Sequence, residues 1–569
     1  MASPAFPEPP PTLPATSLAD AQARLERLVA HKDAWVKVPI SRRVELLRRC
    51  IHGVLAVADE WVASAARAKG IAPDDPLAGE EWLGGPLVTV RNLRLLADTL
   101  EQGASVPPVS TRSTPDGQQI VKVFPRGLLE NLLYTGFVGE IWLEPGKPAS
   151  QGHIYREKER GSYPPGKVSL VLSAGNVASI GPTDALHKLF VEDEVVIVKM
   201  NPVNEYVGPF LERAFACLRD EGVMEVVYGG AEIGGFLAHH ALVDSVHITG
   251  SDRTHDAIVW GGNPDEQARR KAAADPILKK PITSELGCVT PVIVVPGDWS
   301  ESDLRYQARH VAGMVVNNGS FNCNAAKVLV LASGWAKKER FLALVRDELA
   351  ATPPRKAYYP GADSRYQAFL KHYPRHEVLG ERKPDTVPWT LIPEVAPNDG
   401  EYALSNEAFC GVLAVCELGA SEPGAFLEAA TRFANERVWG SLSCMVLIDG
   451  KTEKQHASAF EKAMAELRYG GIGVNVWAGV IFGSCALTWG AHPGHPLTDI
   501  RSGRGTVHNT LLFDHPQKSV LKAPFRIAPM PVWFARHRTL AETGRALTWL
   551  EASGSFLRVP RVLFGALRG

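Results

Sequence analysis

The stretch that decides the fold runs from residue 168 to residue 251 and contains VSLVLSAGN (168–176), EVVIVKMNP (194–202), MEVVYGG (224–230) and SVHITGS (245–251). Each run is short and rich in β-branched residues, and segments with helical periodicity separate the runs. This alternation predicts a parallel sheet with crossover helices. Sheets of that doubly wound kind bind nucleotides at the carboxyl ends of their strands.

A second series of strands follows further along the chain, again separated by helical segments. Its runs are TPVIVVPGD (290–298), AKVLVLAS (326–333), GVLAVCEL (411–418), SCMVLID (443–449) and GGIGVNV (470–476). A chain of 569 residues is too long for a single hydrophobic core. Because it contains two such series of strands, we predict an α/β protein with two lobes and a cleft between them.

The remaining segments differ from these series in composition. A Pro-rich start predicts a disordered or extended arm, and apolar residues at helical spacing from Leu18 predict amphipathic helices. Short extended runs broken by Pro and Gly predict a protruding β-hairpin within IWLEPGKPASQGHIYREKERG (141–161). The predicted units are an arm (1–17), a dinucleotide-binding domain (18–140 and 161–285), a catalytic domain (286–495), oligomerisation segments (141–160 and 505–524) and a tail (525–569).

Charge and cysteine usage exclude several classes of function. The chain has 61 basic and 62 acidic side chains, a formal net charge of -1, and therefore lacks the basic surplus of a nucleic-acid binder. Its eight cysteines show neither the spacing of a zinc site nor that of a disulfide framework, so we predict reduced thiols, no bound metal and a cytoplasmic protein. The sequence shows no signal peptide and no membrane-spanning stretch.

Polar groups and glycines stand at the ends of the first series of strands. Gly175 and Asn176 end one strand and Lys199 ends the next. The turns YGGAEIGG (228–235) and HITGS (247–251) offer free backbone N–H groups, which can approach a pyrophosphate beside a helix N-terminus. These positions predict a cofactor site at the sheet edge.

Several motifs occur in one order and at the approximate spacing of the aldehyde dehydrogenase superfamily, which the chain resembles from about Leu18 to Phe513. The resemblance implies the fold of that family: a Rossmann-type cofactor domain, an α/β catalytic domain and a β-hairpin oligomerisation arm. The motifs are AGN (174–176), VIVKMNP (196–202), HITGS (247–251), SELGCVTPVIV (284–294), NNGSFNC (317–323) and NEAFCGVLAV (406–415).

The resemblance implies NAD or NADP as cofactor. In the family, the lysine matching Lys199 holds the adenine ribose, and Glu407 and Phe409 match the residues that position the nicotinamide riboside. Members that prefer NAD carry an acid three residues after the lysine, where this chain has Pro202, so the choice between NAD and NADP stays open. The glycine turns supply the remaining candidate cofactor residues, which are Gly230, Gly234, Gly250 and Ser251.

Three residues match the chemistry of aldehyde oxidation. A nucleophile must add to the carbonyl before a hydride can leave, and a thiolate adds readily and forms a reactive thioester. Cys323 is the candidate nucleophile, Glu285 the general base, and Asn176 the side-chain donor to the developing oxyanion. We expect an oxidoreductase that converts an aldehyde to a carboxylate.

The cysteine motif departs from the family pattern N-x-G-Q-x-C. Asn322 occupies the cysteine's expected offset from both Asn317 and Lys327, and Cys323 stands one position later. Ser320 also replaces the glutamine. Because successive residues of an extended loop point in different directions, either the loop contains a compensating irregularity or the thiol is displaced.

Two other functions stay open. A coenzyme A-dependent acyl-CoA reductase would use the same cysteine, but the presence of Glu285 favours hydrolysis of the thioester. A catalytically inactive member would serve as a binding or scaffold protein, as a displaced thiol would predict.

The tail and the arm suggest partners. Residues 525–569 mix aromatic and aliphatic side chains with arginines, a composition suited either to packing on the protein or to peripheral contact with an anionic membrane, which would favour a lipophilic aldehyde or acyl substrate. The oligomerisation segments predict a homodimer or homotetramer formed by sheet extension.

Overall fold

The protein is described here by a computed structural model over residues 13–569, in which helices cover both sheets. Its α-helices are α1 (Leu18–Trp35), α2 (Ile40–Ala68), α3 (Ala78–Trp82), α4 (Val88–Glu101), α5 (Gly127–Leu133), α6 (His153–Glu159), α7 (Ile180–Phe190), α8 (Gly208–Ala214), α9 (Ala216–Asp220), α10 (Ala231–His239), α11 (Asp252–Trp260), α12 (Pro264–Ala272), α13 (Glu301–Val316), α14 (Lys338–Ala350), α15 (Ala362–His372), α16 (Tyr402–Ser405), α17 (Pro423–Glu436), α18 (Gly450–Gln455), α19 (Ala457–Glu466), α20 (Gly479–Ser484), α21 (Leu540–Ser553) and α22 (Val559–Leu567).

The strands follow the runs of β-branched residues. They are β1 (Ser110–Ser113), β2 (Gln119–Phe124), β3 (Val138–Leu143), β4 (Val168–Leu172), β5 (Val195–Lys199), β6 (Met224–Val227), β7 (Ser245–Thr249), β8 (Ile282–Glu285), β9 (Thr290–Val294), β10 (Ala326–Ala332), β11 (Glu377–Leu379), β12 (Trp389–Val395), β13 (Val412–Leu418), β14 (Ser443–Leu447), β15 (Gly471–Val474), β16 (Trp489–Gly490), β17 (Gly503–Arg504), β18 (Thr506–Val507) and β19 (Pro516–Lys522).

The smaller of the two main sheets contains the strands of residues 168–251. Its strand order is β17-β8-β7-β4-β5-β6, and all neighbours pair in parallel except β17. Every residue of β4, β5, β6 and β7 is buried, because α1 and α7 pack against the sheet. The predicted parallel sheet with crossover helices is confirmed.

The larger sheet joins the second series of strands to the segments around them. Its order is β1-β2-β3-β19-β15-β14-β9-β10-β13-β12-β11, with parallel pairing from β19 to β12 and antiparallel pairing at both ends. The α/β fold class is therefore confirmed, while the domain boundaries remain predictions.

The β-hairpin predicted over 141–160 is wrong. Only its first three residues, 141–143, belong to β3, and His153–Glu159 form helix α6. The second run, HIYREKE, consists mostly of long side chains that favour a helix, and Asp514 accepts a hydrogen bond from the backbone N–H of His153 at 2.9 Å. A carboxylate at a helix N-terminus satisfies a free donor and favours the helix over a strand.

The segment predicted to mediate oligomerisation through residues 505–524 lies inside the larger sheet. It contributes β19, which pairs with β3 on one side and with β15 on the other, all within one chain. The predicted arm over 1–17 lies mostly outside the described residues. Its last part is extended, and Thr16 donates a backbone hydrogen bond to the carbonyl of Tyr228.

The tail over 525–569 folds into α21 and α22, and α21 packs against α3 and α4. Buried ion pairs fasten it, since Glu551 accepts from Arg91 at 2.6 Å and from Arg94 at 2.6 Å. Burial opposes ionisation of Glu551, but the two arginines outweigh it and lower the pKa of this carboxyl group. Packing on the protein, the first of the two predicted roles, thus describes most of the tail.

Removing the Glu551 carboxylate tests this attachment. We expect Glu551→Ala to lower the free energy of unfolding by about 3–5 kcal/mol, because Arg91 would lose one partner of a buried charge cluster. The matched control is Asp59→Ala, which breaks the exposed ion pair between Asp59 and the tail residue Arg545 and should cost less than about 1 kcal/mol. Equal losses in urea titrations of the two variants would contradict a clamping role for Glu551.

Candidate active site

The candidate nucleophile and the candidate base are in contact. The Cys323 thiol donates to Glu285 Oε1 with a sulfur–oxygen distance of 3.3 Å. Cys323 follows the turn that ends α13, and Glu285 is the last residue of β8. All eight cysteines lie within the described residues, and Cys323 is the one that is not fully buried. The structure therefore brings together the two residues that the sequence analysis assigned to the chemistry.

The irregularity needed to compensate for the shifted cysteine is present in the loop. Asn318, Gly319 and Ser320 have φ values of 54°, 66° and 69°, a left-handed conformation that is costly for residues other than glycine. A second irregularity follows, since the pairing of β10 with β9 shifts register between Ala326 and Val328. Compared with the family pattern, the chain has one more residue between Asn317 and Cys323 and one fewer between Cys323 and Lys327. The two irregularities lie in these two intervals and are suited to accommodate the change.

Asn318 organises this loop. Its side-chain oxygen accepts from Lys69 Nζ at 3.0 Å and from the Tyr358 hydroxyl at 2.9 Å. Lys69 Nζ also donates to the backbone oxygen of Asn176 at 3.1 Å, and the Tyr358 hydroxyl, whose single hydrogen can serve either oxygen, lies 3.2 Å from that atom. Lys69 also pairs with buried Glu81 at 2.8 Å. The loop of residues 317–323, called the cysteine loop below, and the segment that follows β4 are thus held by shared donors.

Asn318, rather than Asn317, stands five positions before Cys323, the offset of the family motif. Counting back from Cys323 would have identified Asn318 in the sequence, whereas nothing local singles out Lys69 or Tyr358. The Asn322 amide donates to the side-chain oxygen of Asn317 at 3.0 Å and its own side-chain oxygen accepts from Asn318 at 3.0 Å. Asn322 is therefore used to hold the loop.

Asn176 lies at the end of β4, as the sequence predicted. Its side-chain nitrogen donates to the backbone oxygen of Phe321 at 2.9 Å, and Asn176 lines the same cavity as Cys323 and Glu285. An amide nitrogen carries two hydrogens, so this bond uses one of them. The arrangement suits a donor to an oxyanion beside the thiol, although the oxyanion role stays a prediction.

Burial controls the protonation of this pair. Burial, reinforced by the negative charge of Asp184, raises the pKa of Glu285 to about 7. Burial and the neighbouring Glu285 raise the pKa of the Cys323 thiol well above its ordinary value. A neutral thiol next to a carboxyl group with a pKa near neutrality is an arrangement suited to general base catalysis.

Asp184 is a member of the site that sequence reasoning missed. It lies in α7, accepts from the Thr249 hydroxyl at 2.9 Å and lies 3.4 Å from His247 Nε2. Thr249 is the cross-strand partner of Glu285. Asp184 is 1% exposed, so its charge acts on Glu285 through protein rather than water.

The candidate cofactor residues gather along the carboxyl edge of the smaller sheet. Lys199 ends β5, Gly230 precedes α10 and Ser251 caps α11 by accepting from the Thr254 backbone N–H at 3.1 Å. A Cβ built on Gly230 meets nothing within 4 Å, and one built on Gly250 or Gly234 meets only ordinary contacts beyond 3.6 Å. The edge therefore leaves room for a ligand beside free backbone N–H groups.

Four acids have a buried oxygen without a hydrogen-bond partner among residues 13–569, namely Asp184, Asp193, Glu285 and Glu407. The atoms that concern the candidate cofactor and cysteine sites are Glu285 Oε2 and Glu407 Oε1. Burial raises the pKa of Glu407 to about 7, although the charge of Lys327 opposes the shift. An unsatisfied buried acceptor is costly, and the ribose hydroxyls of a dinucleotide are suitable donors. The residues present fit NAD or NADP.

Phe409 connects the Glu407 motif to the cysteine loop. Its φ of 42° is unusual for an aromatic residue, and its ring packs edge-on against Tyr359 at 4.9 Å between centroids. Phe321 of the cysteine loop lies 5.9 Å away from it by the same measure. One aromatic cluster thus fixes both segments.

A mostly apolar cavity of about 200 Å³ reaches the thiol. Cys323, Glu285 and Asn176 lie in its wall. The tail contributes Trp533 and Leu547, so residues beyond the family-like part of the sequence complete the cavity. Its apolar lining includes Leu87, Phe124, Ile180, Phe482, Trp533 and Leu547.

These features define a class of protein: an α/β enzyme with a nucleotide-type sheet edge and a cysteine–glutamate pair in a mostly apolar cavity. Residues 187–358 match the model of the aldehyde dehydrogenase family. No curated protein matches the sequence significantly.

Solved structures share the fold. AldH of Staphylococcus aureus is 15% identical, with 90% of this chain and 95% of that one covered and a TM-score of 0.59. The glyceraldehyde-3-phosphate dehydrogenase GapN of Methanocaldococcus jannaschii, complexed with NADP, is 13% identical, with 90% and 95% covered and a TM-score of 0.58. The NAD-dependent aldehyde dehydrogenase of Sinorhizobium meliloti is 18% identical, with 91% and 89% covered and a TM-score of 0.57. The chain therefore shares the fold of these aldehyde dehydrogenases, and residues 187–358 are similar to the aldehyde dehydrogenase family.

The charge of Asp184 gives a pH test of the site. Turnover should rise with pH as Glu285 loses its proton near pH 7, because only the carboxylate can accept the thiol proton. Asp184→Asn removes a repulsive charge and so lowers the pKa of Glu285, which should move this rise to lower pH by roughly one unit. The profile of kcat/KM against pH measures the shift.

The control for this experiment is Asp265→Asn, which removes the same charge from the exposed first turn of α12. Its profile should match that of the unmodified protein. A profile that stays in place for Asp184→Asn, in a variant whose far-ultraviolet spectrum is unchanged, would contradict the influence of Asp184 on Glu285.

Proposed function

We propose that the protein oxidises a lipophilic aldehyde to its carboxylate, with NAD or NADP as hydride acceptor and Cys323 as nucleophile. The observation that carries this proposal is the 3.3 Å contact between Cys323 Sγ and Glu285 Oε1 in a cavity shared with Asn176. The apolar lining supports the lipophilic substrate class.

The first half of the reaction adds the thiol to the aldehyde. Glu285 takes the proton from Cys323, and the sulfur attacks the carbonyl carbon to give a thiohemiacetal oxyanion. The Asn176 amide, together with a backbone N–H of the cysteine loop, stabilises that oxygen. The nicotinamide of a bound cofactor supplies the acceptor for the hydride that leaves this carbon, which leaves a thioester on Cys323.

The second half releases the acid. Glu285 first releases to solvent the proton that it took from Cys323. It then removes a proton from a water molecule, which adds to the thioester carbonyl, and the carbon–sulfur bond breaks. The Cys323 thiolate takes the proton back from Glu285, and the carboxylic acid ionises to the carboxylate. The raised pKa of Glu285 suits both proton transfers near neutral pH. Lys199, Gly250, Ser251, Glu407 and Phe409 would hold the cofactor, and Gly230 and Gly234 would leave room for its pyrophosphate.

Single substitutions at the pair test the proposal. Cys323→Ala should abolish the reduction of NAD or NADP in the presence of an aldehyde, and Glu285→Gln should lower turnover by about 10²–10⁴-fold. Cys444→Ala, at a buried thiol of β14, should leave turnover near its original level. Straight-chain aldehydes of increasing length measure the preference for apolar substrates, which should show as a rising kcat/KM.

The same assay separates the alternatives. Turnover that requires coenzyme A would assign the protein to the acyl-CoA reductases. Cofactor binding without turnover on any aldehyde would favour an inactive protein with a binding role. Both results would contradict hydrolytic aldehyde oxidation.

This chain has Pro202 where NAD-preferring members carry an acid, but Glu205 is an acid whose charge acts on Lys199. Burial lowers the pKa of Lys199 to about 8, and the charge of Glu205, itself 4% exposed, opposes this shift. Because the lysine is the expected ribose contact, a 2′-phosphate would meet the Glu205 carboxylate. We propose that this repulsion favours NAD over NADP.

Glu205→Gln should therefore raise kcat/KM for NADP relative to NAD by about tenfold, which corresponds to about 1.4 kcal/mol. The amide keeps the acceptor that Glu205 Oε1 offers to the Leu13 backbone N–H, so the local structure should persist. Glu60→Gln on the exposed side of α2 serves as the control. An unchanged cofactor ratio would show that Glu205 does not discriminate.

The assembly also stays a proposal. We expect a homodimer or homotetramer formed by sheet extension, for which the exposed edge strand β1 offers free backbone groups. No helix among residues 13–569 is long and apolar enough to cross a membrane.

A further inference from the structure

Exposed apolar side chains are concentrated on the helices that close the cavity. Among residues 13–569, eleven large apolar side chains are exposed, and six of them belong to α5 or to residues 556–567. We call these six the tail patch. They are Leu128, Leu132, Phe556, Leu557, Phe564 and Leu567, with exposed fractions of 81%, 51%, 54%, 92%, 59% and 74%.

The three helices that carry or support the tail patch form a unit. Ala546, Leu550, Val559 and Val562 make a small buried core of α21 and α22, and Leu129 and Leu133 of α5 pack against it. On α22 the inward positions are 559, 562 and 565, whereas Phe564 and Leu567 lie on the opposite side. The helix is thus apolar on both faces, and its own fold covers only one of them.

The charges around the tail patch have one sign. Residues 552–569 contain Arg558, Arg561 and Arg568 and no acidic residue, and none of these arginines forms an ion pair within residues 13–569. The buried acids of the supporting helices turn inward, since Glu130 and Glu551 both bind Arg91. Glu542, at the other end of α21, is the exposed acid of these helices.

We infer that the tail patch docks on an anionic lipid surface. Apolar side chains flanked by arginines suit a membrane interface, because the former enter the acyl boundary while the latter bind lipid phosphates. The same elements border the cavity, to which α21 contributes Leu547 and the end of α5 contributes Tyr134. Docking would hold this wall of the cavity against the lipid bilayer, in which a lipophilic aldehyde dissolves.

The role in substrate supply rests on the proposed function, but lipid binding does not. The full-length protein is centrifuged with vesicles of phosphatidylcholine alone or of phosphatidylcholine with phosphatidylglycerol. We expect binding to the anionic vesicles, little binding to the neutral ones, and weaker binding as salt rises. Arg561→Gln should weaken binding by about fivefold, and Arg305→Gln, on the exposed side of α13, should not.

Apolar variants complete the test. Leu557→Asp with Phe564→Asp should abolish binding, whereas Val378→Asp, at an exposed apolar position in β11 outside the tail patch, should leave it unchanged. Neither change touches the cavity, so oxidation of a short soluble aldehyde without vesicles should persist. If no aldehyde is oxidised by any variant, the proposed function fails, while vesicle binding is still judged separately.

Two outcomes would overturn the inference. The first is an absence of binding to anionic vesicles by the unmodified protein. The second is self-association in sedimentation velocity that Leu557→Asp removes, which would show that a second copy covers the tail patch instead of lipid.

Discussion

The left-handed turn at Asn318, Gly319 and Ser320 is the constraint on which the site depends. This backbone conformation is unfavourable for residues other than glycine, so the turn persists only because other groups stabilise it. Lys69 and Tyr358 supply that support through the side-chain oxygen of Asn318. As a result, Cys323 lies 3.3 Å from Glu285 Oε1, although it stands one position later than the family pattern places the cysteine.

The electrostatic properties of the pair follow from its burial. A carboxyl group and a thiol in a dry environment both resist ionisation, and Asp184 adds a like charge behind the carboxyl group. The thiol is therefore neutral at rest, and only the ionised form of Glu285 can accept its proton. In the proposed reaction, the amide of Asn176, which is held by the backbone oxygen of Phe321, would donate to the oxygen on which charge develops next.

The tail links stability to the shape of the cavity. Arg91 and Arg94 hold Glu551, and this attachment places Leu547 in the cavity wall. The same helices leave Leu557 and Phe564 facing solvent beside arginines that form no ion pair within residues 13–569. One face of the tail (525–569) thus packs on the protein and lines the cavity, and the other face is exposed.

Local pattern was sufficient to predict β4 to β7 of the smaller sheet, the parallel pairing of that series, and β9, β10, β13, β14 and β15 of the larger sheet. These predictions succeed because runs of β-branched residues report burial at each position without knowledge of distant contacts. The motif order also proposed Cys323, Glu285 and Asn176, which lie in the wall of one cavity, while their roles stay predictions. The hairpin over 141–160 failed because Asp514, far along the chain, accepts from the backbone of His153 and favours a helix. Only the tertiary structure decided that Cys323, not Asn322, meets Glu285, and that Lys69, Tyr358 and Asp184 belong to the site. The physical reason is that a left-handed turn and a buried thiol–carboxyl pair depend on groups brought together by folding, and sequence spacing does not encode those distances.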